Sequence, residues 1–314
     1  MDNLTHSLVG WALAETGLKR RTRKGLAALV LAANMPDIDV FFGWVPWAPL
    51  AMHRGFTHGL VGGVVVMPPL LAGLLWLLDR WQASRGKIVE GAPPLRLGWL
   101  VLLSYLGAIT HPLLDLQTVY AVQLLSPWSE AWFHADGLFI ISPWLLAILG
   151  GGIWWARRFA SRRAALASLV AGTAFILLNV GISRMAWDAP SLDAPYANPD
   201  RVFASPEPLA FWRRDVVWRE GGTIRFGTYD PLKRLTGLQE FGAPVADRMD
   251  DPLVRQAAKA KPEAVKFLAW SQMPMAQVAV GDGCTVVQFG DARFTGPRLA
   301  RNFNVTVRTC SISY

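Results

Sequence analysis

Long apolar segments dominate the first 185 residues of this chain and stop there. A helix that crosses the hydrocarbon of a bilayer needs roughly 20 mostly apolar residues. Four segments come within a few residues of this length: 59–78, 97–114, 138–156 and 164–182. Two shorter apolar segments, 8–18 and 26–35, precede them and predict a helical hairpin packed against the spans. The pattern therefore predicts an α-helical integral membrane domain over residues 1–184.

From about residue 185 apolar and polar positions alternate with a period of two, which is typical of half-buried strands. Many apolar positions are β-branched or aromatic, and glycine and proline separate the stretches. The alternating stretches cover residues 215–218, 223–226, 276–280, 285–289 and 302–307. Residues 250–267 are predicted to add one helix. We therefore expect a small β-rich soluble domain over residues 185–314.

The full chain has a net charge of +8, and the basic residues of its apolar part are unevenly distributed. All of its lysines and arginines except Arg54 and Arg184 lie in three connectors between apolar segments, within residues 19–24, 80–96 and 157–163. Short basic loops beside apolar spans face the cytoplasm, so the charge predicts membrane topology and argues against nucleic-acid binding. We expect no cleaved leader, because residues 1–18 lack a basic start and a small-residue cleavage site.

Alternating the segments from these connectors places the other loops on the extracytoplasmic side. These loops and the adjacent segment ends contain all five histidines, His6, His53, His58, His111 and His134, and four aspartates, Asp37, Asp39, Asp115 and Asp136. Because only lysines and arginines define the topology, the convergence of the histidines supports it independently. We expect a multi-pass protein of the bacterial inner (plasma) membrane, with this polar group and the carboxyl-terminal domain outside.

The converging histidines and aspartates predict a divalent metal site, since imidazole and carboxylate are its usual protein ligands. His111 and Asp115 are four residues apart, so on a helix they project from one face. Gly55 permits a tight turn between His53 and His58. The number of ligands allows one or two ions, with zinc favoured and manganese or iron possible. Such a site activates water, so hydrolysis of an ester or phosphoester is the expected chemistry.

Four ordered motifs carry a resemblance to a known family. They are Thr5-His6, Pro36-Asp37-Ile38-Asp39, His53-Arg54-Gly55-Phe56-Thr57-His58 and His111-Pro112-Leu113-Leu114-Asp115. In this order between hydrophobic segments they resemble the membrane-bound metal-dependent hydrolases often labelled YdjM-like, over about residues 1–145. The resemblance implies a bound metal, hydrolase activity and metal ligands at His6, Asp37, Asp39, His53, His58, His111 and Asp115.

The next stretch of the family pattern matches less completely. It retains Asp136, which we add to the predicted ligands, but it has Ser142 where many relatives have an acid. Residue 142 is therefore not expected to be a carboxylate ligand. His134 has no counterpart in the pattern, and its role stays open between a ligand and a plain polar cap.

Two residues are assigned catalytic roles. Asp39 is expected to serve as a base as well as a ligand, and Arg54 to steady developing negative charge. The alternative for Arg54 is an anchor for lipid headgroups. Because the site is expected at the membrane border, we expect a lipid-linked or envelope substrate, with membrane lipid as the partner. The sequence predicts no oligomeric state.

Two other functions fit the same residues. A metal transporter or sensor is one, but transport needs polar groups along a path, and the cytoplasmic halves of the segments carry almost none apart from Glu15. A structural membrane protein with a non-catalytic metal site is the other. The only two cysteines, Cys284 and Cys310, are expected to form a disulfide if they lie outside, with two buried thiols as the alternative.

Overall fold

The structure, a computed structural model, describes residues 1–42, 53–193, 198–233, 237–281, 283–295 and 303–310. The described chain divides into two compact units. The first contains Met1–Phe42 and His53–Val180, and the second contains the described residues from Gly181 onward. This division lies close to the boundary predicted after residue 184. The middle of the predicted 36–58 loop and the first residue of the predicted 302–307 strand lie outside the described residues.

Helices make up most of the first unit. Its α-helices are α1 (Asn3–Glu15), α2 (Gly25–Asn34), α3 (Met67–Ser84), α4 (Leu97–Asp115), α5 (Pro143–Arg158) and α6 (Arg162–Asp193), and α6 continues into the second unit. Three short 3-10 helices, Leu18–Arg20, Met35–Phe42 and Phe56–His58, and one π-helix, Leu60–Val66, lie between them. Asp2 caps the start of α1, because its carboxylate accepts a hydrogen bond from the Thr5 amide at 3.0 Å.

Among the described residues, three helical stretches are long and apolar enough to cross a membrane: Leu60–Ser84, Leu97–Asp115 and Arg162–Leu192. They correspond to three of the four predicted spans. The fourth, residues 138–156, forms the shorter α5, which starts only at Pro143 and has 16 residues. At 1.5 Å per residue α5 is about 24 Å long, less than the roughly 30 Å of hydrocarbon. A fourth complete span is therefore not confirmed.

Helix α2 packs against both α1 and α4, and two glycines make the approach close. A side-chain carbon at Gly10 would lie 2.8 Å from the carbonyl oxygen of Leu29, and one at Gly107 would lie 2.5 Å from the same oxygen. The buried core around this contact consists of alanine and leucine: Ala14, Ala28, Leu29, Ala32, Leu71, Ala72, Leu75, Leu100, Leu103 and Ala108. The two predicted amino-terminal helices thus pack against a membrane span.

The three basic connectors meet at one end of the helical unit. Arg23 in the first connector pairs with Asp79, beside the second connector, at 2.9 Å. The side chain of Arg162 in the third connector lies 3.2 Å from where a side-chain carbon of Gly17 would be. Helices α2 and α4 both begin at this end and finish at the other, where the aspartate and histidine motifs lie. These helices therefore separate the basic connectors from the predicted metal ligands.

The second unit is built mainly from antiparallel strands, as predicted. They are β1 (Arg201–Pro206), β2 (Arg214–Glu220), β3 (Thr223–Tyr229), β4 (Leu238–Glu240), β5 (Val245–Ala246), β6 (Pro274–Gly281), β7 (Cys284–Asp291) and β8 (Asn304–Cys310). One sheet has the order β1-β2-β3-β4 with β5 paired to β3, and the other has the order β6-β7-β8. Ala204, Val216 and Trp218 of the first sheet pack with Ala186 and Ala189 of α6.

Two details of the second unit refine the sequence predictions. The single helix predicted over 250–267 is two helices, α7 (Pro252–Ala260) and α8 (Pro262–Trp270), and a third, α9 (Ala292–Thr295), follows β7. Lys261 is extended at φ −137°, because the residue before a proline disfavours helical geometry. Cys284 and Cys310 lie opposite each other on β7 and β8 and form a disulfide, so they are not two free thiols.

Candidate metal centre

Three parts of the first unit bring the predicted ligands together. They are the 3-10 helix Met35–Phe42 with Asp37 and Asp39, the turn and 3-10 helix over 53–58 with His53 and His58, and the end of α4 with His111 and Asp115. Pro36 has no N–H and so helps to end the regular hydrogen bonding of α2 just before the two aspartates. The 53–58 segment reverses direction through Arg54, which has a φ of +64°.

The first ligand group consists of Asp37, His58, His111 and Asp115, all of them buried. Nε2 of His58 lies 3.2 Å from Oδ1 of Asp37 and 3.3 Å from Oδ2 of Asp115. Nε2 of His111 lies 3.2 Å from the same Asp115 oxygen. Metal–ligand bonds of about 2.0–2.1 Å place two ligand atoms of a tetrahedral site about 3.3 Å apart. The spacing of the donor atoms therefore fits a single divalent ion.

A backbone contact orients His111 for metal binding. Its Nδ1 lies 2.7 Å from the carbonyl oxygen of Ala33, which can only accept a hydrogen bond, so Nδ1 carries the proton. Nε2 is then left with a lone pair that faces the group. Metal-binding histidines are commonly held in this way, with one ring nitrogen donating to the protein and the other on the ion.

Buried nitrogen and oxygen atoms without hydrogen-bond partners indicate whether these residues suit a metal. Nε2 of His111, Oδ2 of Asp115 and both ring nitrogens of His6 are buried without a hydrogen-bond partner among the described residues. Leaving a buried polar atom unpaired costs about 1–3 kcal/mol. A divalent cation would satisfy the atoms of His111 and Asp115 together, and it would lie beside His6. The donor set therefore fits the metal implied by the sequence.

His6 extends this group from α1. Its Nε2 lies 3.5 Å from Oδ1 of Asp115, and its ring stacks on that of His111. His6 is nevertheless outside the set of donor atoms that converge most tightly. The structure brings His6 to the site as the sequence predicted, at its edge.

A second ligand group consists of Asp39, His53 and His58. Nδ1 of His53 lies 3.0 Å from Oδ1 of Asp39, and Nδ1 of His58 lies 3.3 Å from Oδ2. His58 thus faces the first group with Nε2 and the second with Nδ1. The side chain of His53 is 21% exposed whereas that of His58 is fully buried, so the second group is the more accessible of the two. This arrangement accommodates the one or two ions predicted.

Both aspartates of the 3-10 helix are held as carboxylates. Burial by itself raises the pKa of Asp37, but the imidazole rings of His111 and His58 beside its carboxylate outweigh this effect and hold the pKa below its usual range. The pKa of Asp39 is also below its usual range, because hydrogen bonds from His53 and His58 outweigh the effect of burial. A carboxylate must be ionised to bind a metal, so both are ready to do so at neutral pH.

Arg54 points into the site and not toward the membrane surface. Its side chain is 3% exposed, and its Nη2 lies 3.1 Å from Oδ1 of Asp115, which also contacts the amino group of Met1. Its Nη1 donates to the hydroxyl of Thr118 at 2.6 Å, and its guanidinium lies 4.7 Å above the ring of Tyr120. The headgroup-anchor alternative is therefore wrong, because the charged group is buried beside a carboxylate ligand. The catalytic role stays a prediction.

Asp136 is not among the converging atoms of either ligand group in the described residues. Its carboxylate is fully buried and lies 2.8 Å from Nδ1 of His134. Asp136 has a φ of +52° and lies in a stretch without regular secondary structure. The ligand role predicted for Asp136 is thus not supported by proximity, and His134 is accounted for as its partner. Ser142 caps α5 by accepting a hydrogen bond from the Leu145 amide at 3.4 Å.

Sequence reasoning missed several residues that support the site. The hydroxyl of Thr57 donates to Oδ2 of Asp39 at 2.7 Å, and Thr118 and Tyr120 hold Arg54. Thr57 lies inside the H-R-G-F-T-H motif, so the sequence could have indicated its role. The sequence could not indicate the role of the Ala33 carbonyl, because every residue has a backbone oxygen.

The comparison with known proteins assigns the chain to a family. The profile described as YdjM inner membrane protein matches residues 1–187. The chain belongs to this family. It is also similar to the inner membrane protein YbcI of Escherichia coli (strain K12), with 31% identity over 162 residues, which cover 42% of this chain and 84% of the relative. No solved structure matches the chain. The family match includes every residue of the two ligand groups, whereas most of the second unit lies beyond it.

Proposed function

We propose that this family member is a membrane-bound metal-dependent hydrolase. Asp37, His58, His111 and Asp115 would hold one divalent ion. Asp39 and His53 would complete a second position that shares His58, whose ring would have to lose its N–H proton to serve both ions at once. The observation that carries the proposal is the set of buried, unpartnered donor atoms on His111 and Asp115, next to a second and more accessible group. Zinc is favoured by the histidine ligands, and the carboxylates also suit manganese or iron.

The bound metal would supply Lewis acidity toward an ester or phosphoryl oxygen and would lower the pKa of water. The chain itself supplies a base and fixed charge. Asp39 is ionised, lies in the accessible group and can accept a proton once its contact with His53 loosens. Arg54 orients Asp115 and places a permanent positive charge beside the ligands, where negative charge would develop in hydrolysis.

The proposed substrate is an ester or phosphoester that is lipid-linked or part of the envelope. It is supported by the position of the ligands at the end of α4, which is apolar and long enough to span a membrane. The extracytoplasmic side is supported by two independent features. The basic connectors meet at the end of the helical unit away from the ligands, and basic connectors face the cytoplasm. The disulfide between Cys284 and Cys310 suits an oxidising compartment.

A structural metal site is the second candidate, and the depth of the first group favours it. His58, His111 and Asp115 are fully buried, and such an ion would tie α2, the 53–58 segment and α4 together. Transport is less well supported, because the described core between the site and the basic connectors is alanine and leucine. Glu15, at the connector end, is occupied by Lys19 and Trp11.

The first experiment is a metal analysis of the full-length protein purified in detergent. We expect about one to two equivalents of a divalent metal in the wild type and clear loss in the His111→Ala variant. The His134→Ala variant is the matched control, because His134 is a histidine outside both groups. A wild-type protein without metal, purified in the absence of chelators, would contradict the proposal.

A second experiment separates the hydrolase from the structural alternative. Hydrolysis of chromogenic esters, chromogenic phosphodiesters and phospholipids is measured in micelles before and after removal of the metal. Activity that disappears with the metal and returns on its addition supports a hydrolase. A metal whose removal lowers the melting temperature, without activity on any substrate of the panel, supports the structural alternative.

A further inference from the structure

A cavity at the connector end of the helical unit is lined by three arginines. It has a volume of about 310 Å³ and is bounded by Thr16, Gly17, Leu18, Arg20, Arg21 and Arg162. This volume corresponds to about ten water molecules, so it is larger than one phosphate group. None of the lining residues is acidic. The cavity lies at the opposite end of the helices from the metal ligands and is independent of the proposed hydrolase activity.

No described carboxylate neutralises the arginines of this cavity. Within the described part of the chain, Arg20, Arg21 and Arg162 form no ion pair with a carboxylate. The nearby carboxylates are already used, since Glu15 accepts a hydrogen bond from Lys19 at 2.5 Å and Asp79 pairs with Arg23 at 2.9 Å. Three like charges around one cavity repel one another, so an anion between them would be stabilising.

Local structure holds the arginines around the cavity. Gly17 has a φ of +111°, and a side-chain carbon there would lie 3.2 Å from the Arg162 side chain, so glycine both permits the turn and leaves room for the arginine. Arg20 and Arg21 follow in a short turn of 3-10 type, and the Arg21 guanidinium lies 5.1 Å above the ring of Trp99. The turn at Gly17 and the stacking of Arg21 on Trp99 thus help to position the arginines that line the cavity.

The start of α6 adds to the positive potential. Arg162 is the first residue of this helix, which has no acidic residue in its first turn. The amino-terminal end of a helix carries a partial positive charge and is stabilised by anions. Arginine at this position is therefore unfavourable unless an anion accompanies it.

Aromatic side chains place the cavity at the depth of lipid headgroups. Trp154, Trp155 and Phe159 lie at the end of α5, shortly before Arg162, and all three are more than half exposed. Exposed tryptophans at the ends of apolar helices are typical of the membrane interface. An anion at this depth is most simply supplied by the lipids themselves.

We propose that this cavity binds the phosphate group of an anionic phospholipid. Each guanidinium can donate two parallel hydrogen bonds to phosphate oxygens, a geometry that lysine lacks. Leu18 forms the apolar part of the lining, where the diacylglycerol end of the lipid would lie. The site would anchor the connector end of the helical unit to the membrane surface.

The test compares lipid binding to the full-length protein and two charge-matched variants. Binding of phosphatidylglycerol and of phosphatidylcholine to the protein in neutral detergent is measured by native mass spectrometry. The site variant is Arg20→Gln, Arg21→Gln and Arg162→Gln. The control variant is Arg80→Gln, Arg85→Gln and Arg158→Gln, which removes the same charge from arginines that stack on Trp76, Trp81 and Phe159.

We expect phosphatidylglycerol to bind the wild type more tightly than phosphatidylcholine. The site variant should bind it about 100-fold more weakly, since each arginine contributes about fivefold near an anionic surface. The control variant should keep most of the affinity, and a third variant with lysine at the same three positions should lie between. Equal loss in the site and control variants, or no loss in either, would overturn the proposal.

A final arm identifies the source of the phosphate. Inorganic phosphate or phosphatidylglycerol is added separately to the wild type and to the site variant, and the melting temperature is measured at constant ionic strength. Protection by inorganic phosphate that depends on the three arginines assigns the site to phosphate itself. Protection by phosphatidylglycerol alone assigns it to a lipid headgroup. Equal protection of the wild type and the site variant by either compound would overturn the proposal.

Discussion

The imidazole ring of His6 stacks on that of His111, with centroids 3.9 Å apart and planes inclined by 14°. The two rings come from α1 and α4, and both are buried. Two protonated rings at this distance would repel each other strongly, so the stack disfavours protonation of both rings at once and leaves a nitrogen of at least one ring available to a cation. Helix α1 is thereby tied to the metal centre through a histidine that converges less tightly than the others.

Replacing His6 by phenylalanine distinguishes the contribution of its ring nitrogens from that of ring stacking. His6→Phe keeps an aromatic ring on His111 but removes both nitrogens, so we expect metal affinity to fall about 10- to 100-fold with the fold retained. The measurement is a competition titration against a chromogenic chelator, with circular dichroism to follow folding. His134→Phe serves as the control. An unchanged affinity in His6→Phe would mean that His6 contributes packing alone.

Replacing Asp39 by asparagine tests its role as the base. The first ligand group does not contain Asp39, so Asp39→Asn should keep the metal held there while hydrolysis falls about 10²- to 10⁴-fold. The measurement pairs metal content with the rate on the best substrate of the panel. Asp136→Asn is the matched control, because it also removes a buried carboxylate beside a histidine. Retention of full activity in Asp39→Asn would exclude Asp39 as the base.

Two glycines of α4 give opposite predictions for stability. Gly107→Ala places a carbon 2.5 Å from the carbonyl oxygen of Leu29, so the helices must separate and we expect a cost of about 1–3 kcal/mol. Gly98→Ala meets no atom within 4 Å and should be neutral or stabilising by up to about 1 kcal/mol, since alanine favours helix. The melting temperature in detergent is the readout. Equal melting temperatures for the two variants would contradict the packing described for α2.

The second unit is expected to lose stability in acid through Asp291. Burial by itself raises the pKa of Asp291, but the charge of Arg293 and hydrogen bonds from Arg293 and Ser271 outweigh it, so the pKa lies below its usual range. The folded state therefore binds this proton less tightly than the unfolded state does. The stabilisation is fully present above the unfolded pKa of about 3.9 and is lost as pH falls through the folded pKa.

The Asp291→Asn variant isolates this contribution. It leaves Arg293 buried without its carboxylate, so we expect a loss of about 3–5 kcal/mol at pH 7 and a flatter dependence of stability on acid. Denaturant unfolding followed by tryptophan fluorescence reports it, since Arg293 lies 5.1 Å from the ring of Trp270. Asp250→Asn, at a fully exposed side chain, is the control and should match the wild type.

Cysteine labelling in intact cells tests the proposed sidedness. In a background of Cys284→Ser and Cys310→Ser, we expect Glu90→Cys in the second connector to react with an impermeant maleimide only after the membrane is permeabilised. Leu209→Cys, at a residue that is 71% exposed in the second unit, should react without permeabilisation. The opposite labelling pattern would show that the true topology is the reverse of the proposed one. Labelling of both variants in intact cells would also contradict the proposed topology.

Much of the site was predictable because its ligands lie in short motifs next to apolar segments. His58, His111, Asp37 and Asp115 were all named from the order and spacing of those motifs, and they converge in the structure. Asp136 was named on the same basis but belongs to neither group, because it lies in a stretch without regular secondary structure, where spacing does not predict which side chains converge. Arg54 was recognised as important, but whether it faced lipid or ligand depended on its positive φ, which sequence pattern does not reveal.

The fold was predictable to a similar extent. Apolar length alone identified three stretches able to span a membrane, and alternation with a period of two identified the β-rich unit. The helix at 138–156 was overestimated because apolar residues 138–141 precede it in a non-helical conformation. Hydropathy does not distinguish such residues from a helical turn, whereas Pro143 and the cap at Ser142 mark the actual start.

By itself the sequence determined the membrane character and the clustering of basic residues in three connectors. It also named nearly all the residues that converge in the candidate metal centre, since each of these features follows from local composition or spacing. Only the tertiary structure decided that His58 serves two ligand groups, that His111 is oriented by the carbonyl of Ala33, and that Arg54 faces Asp115. The physical reason is that these relationships join residues distant in sequence through backbone geometry and burial. Neither backbone geometry nor burial can be deduced from the order of the residues alone.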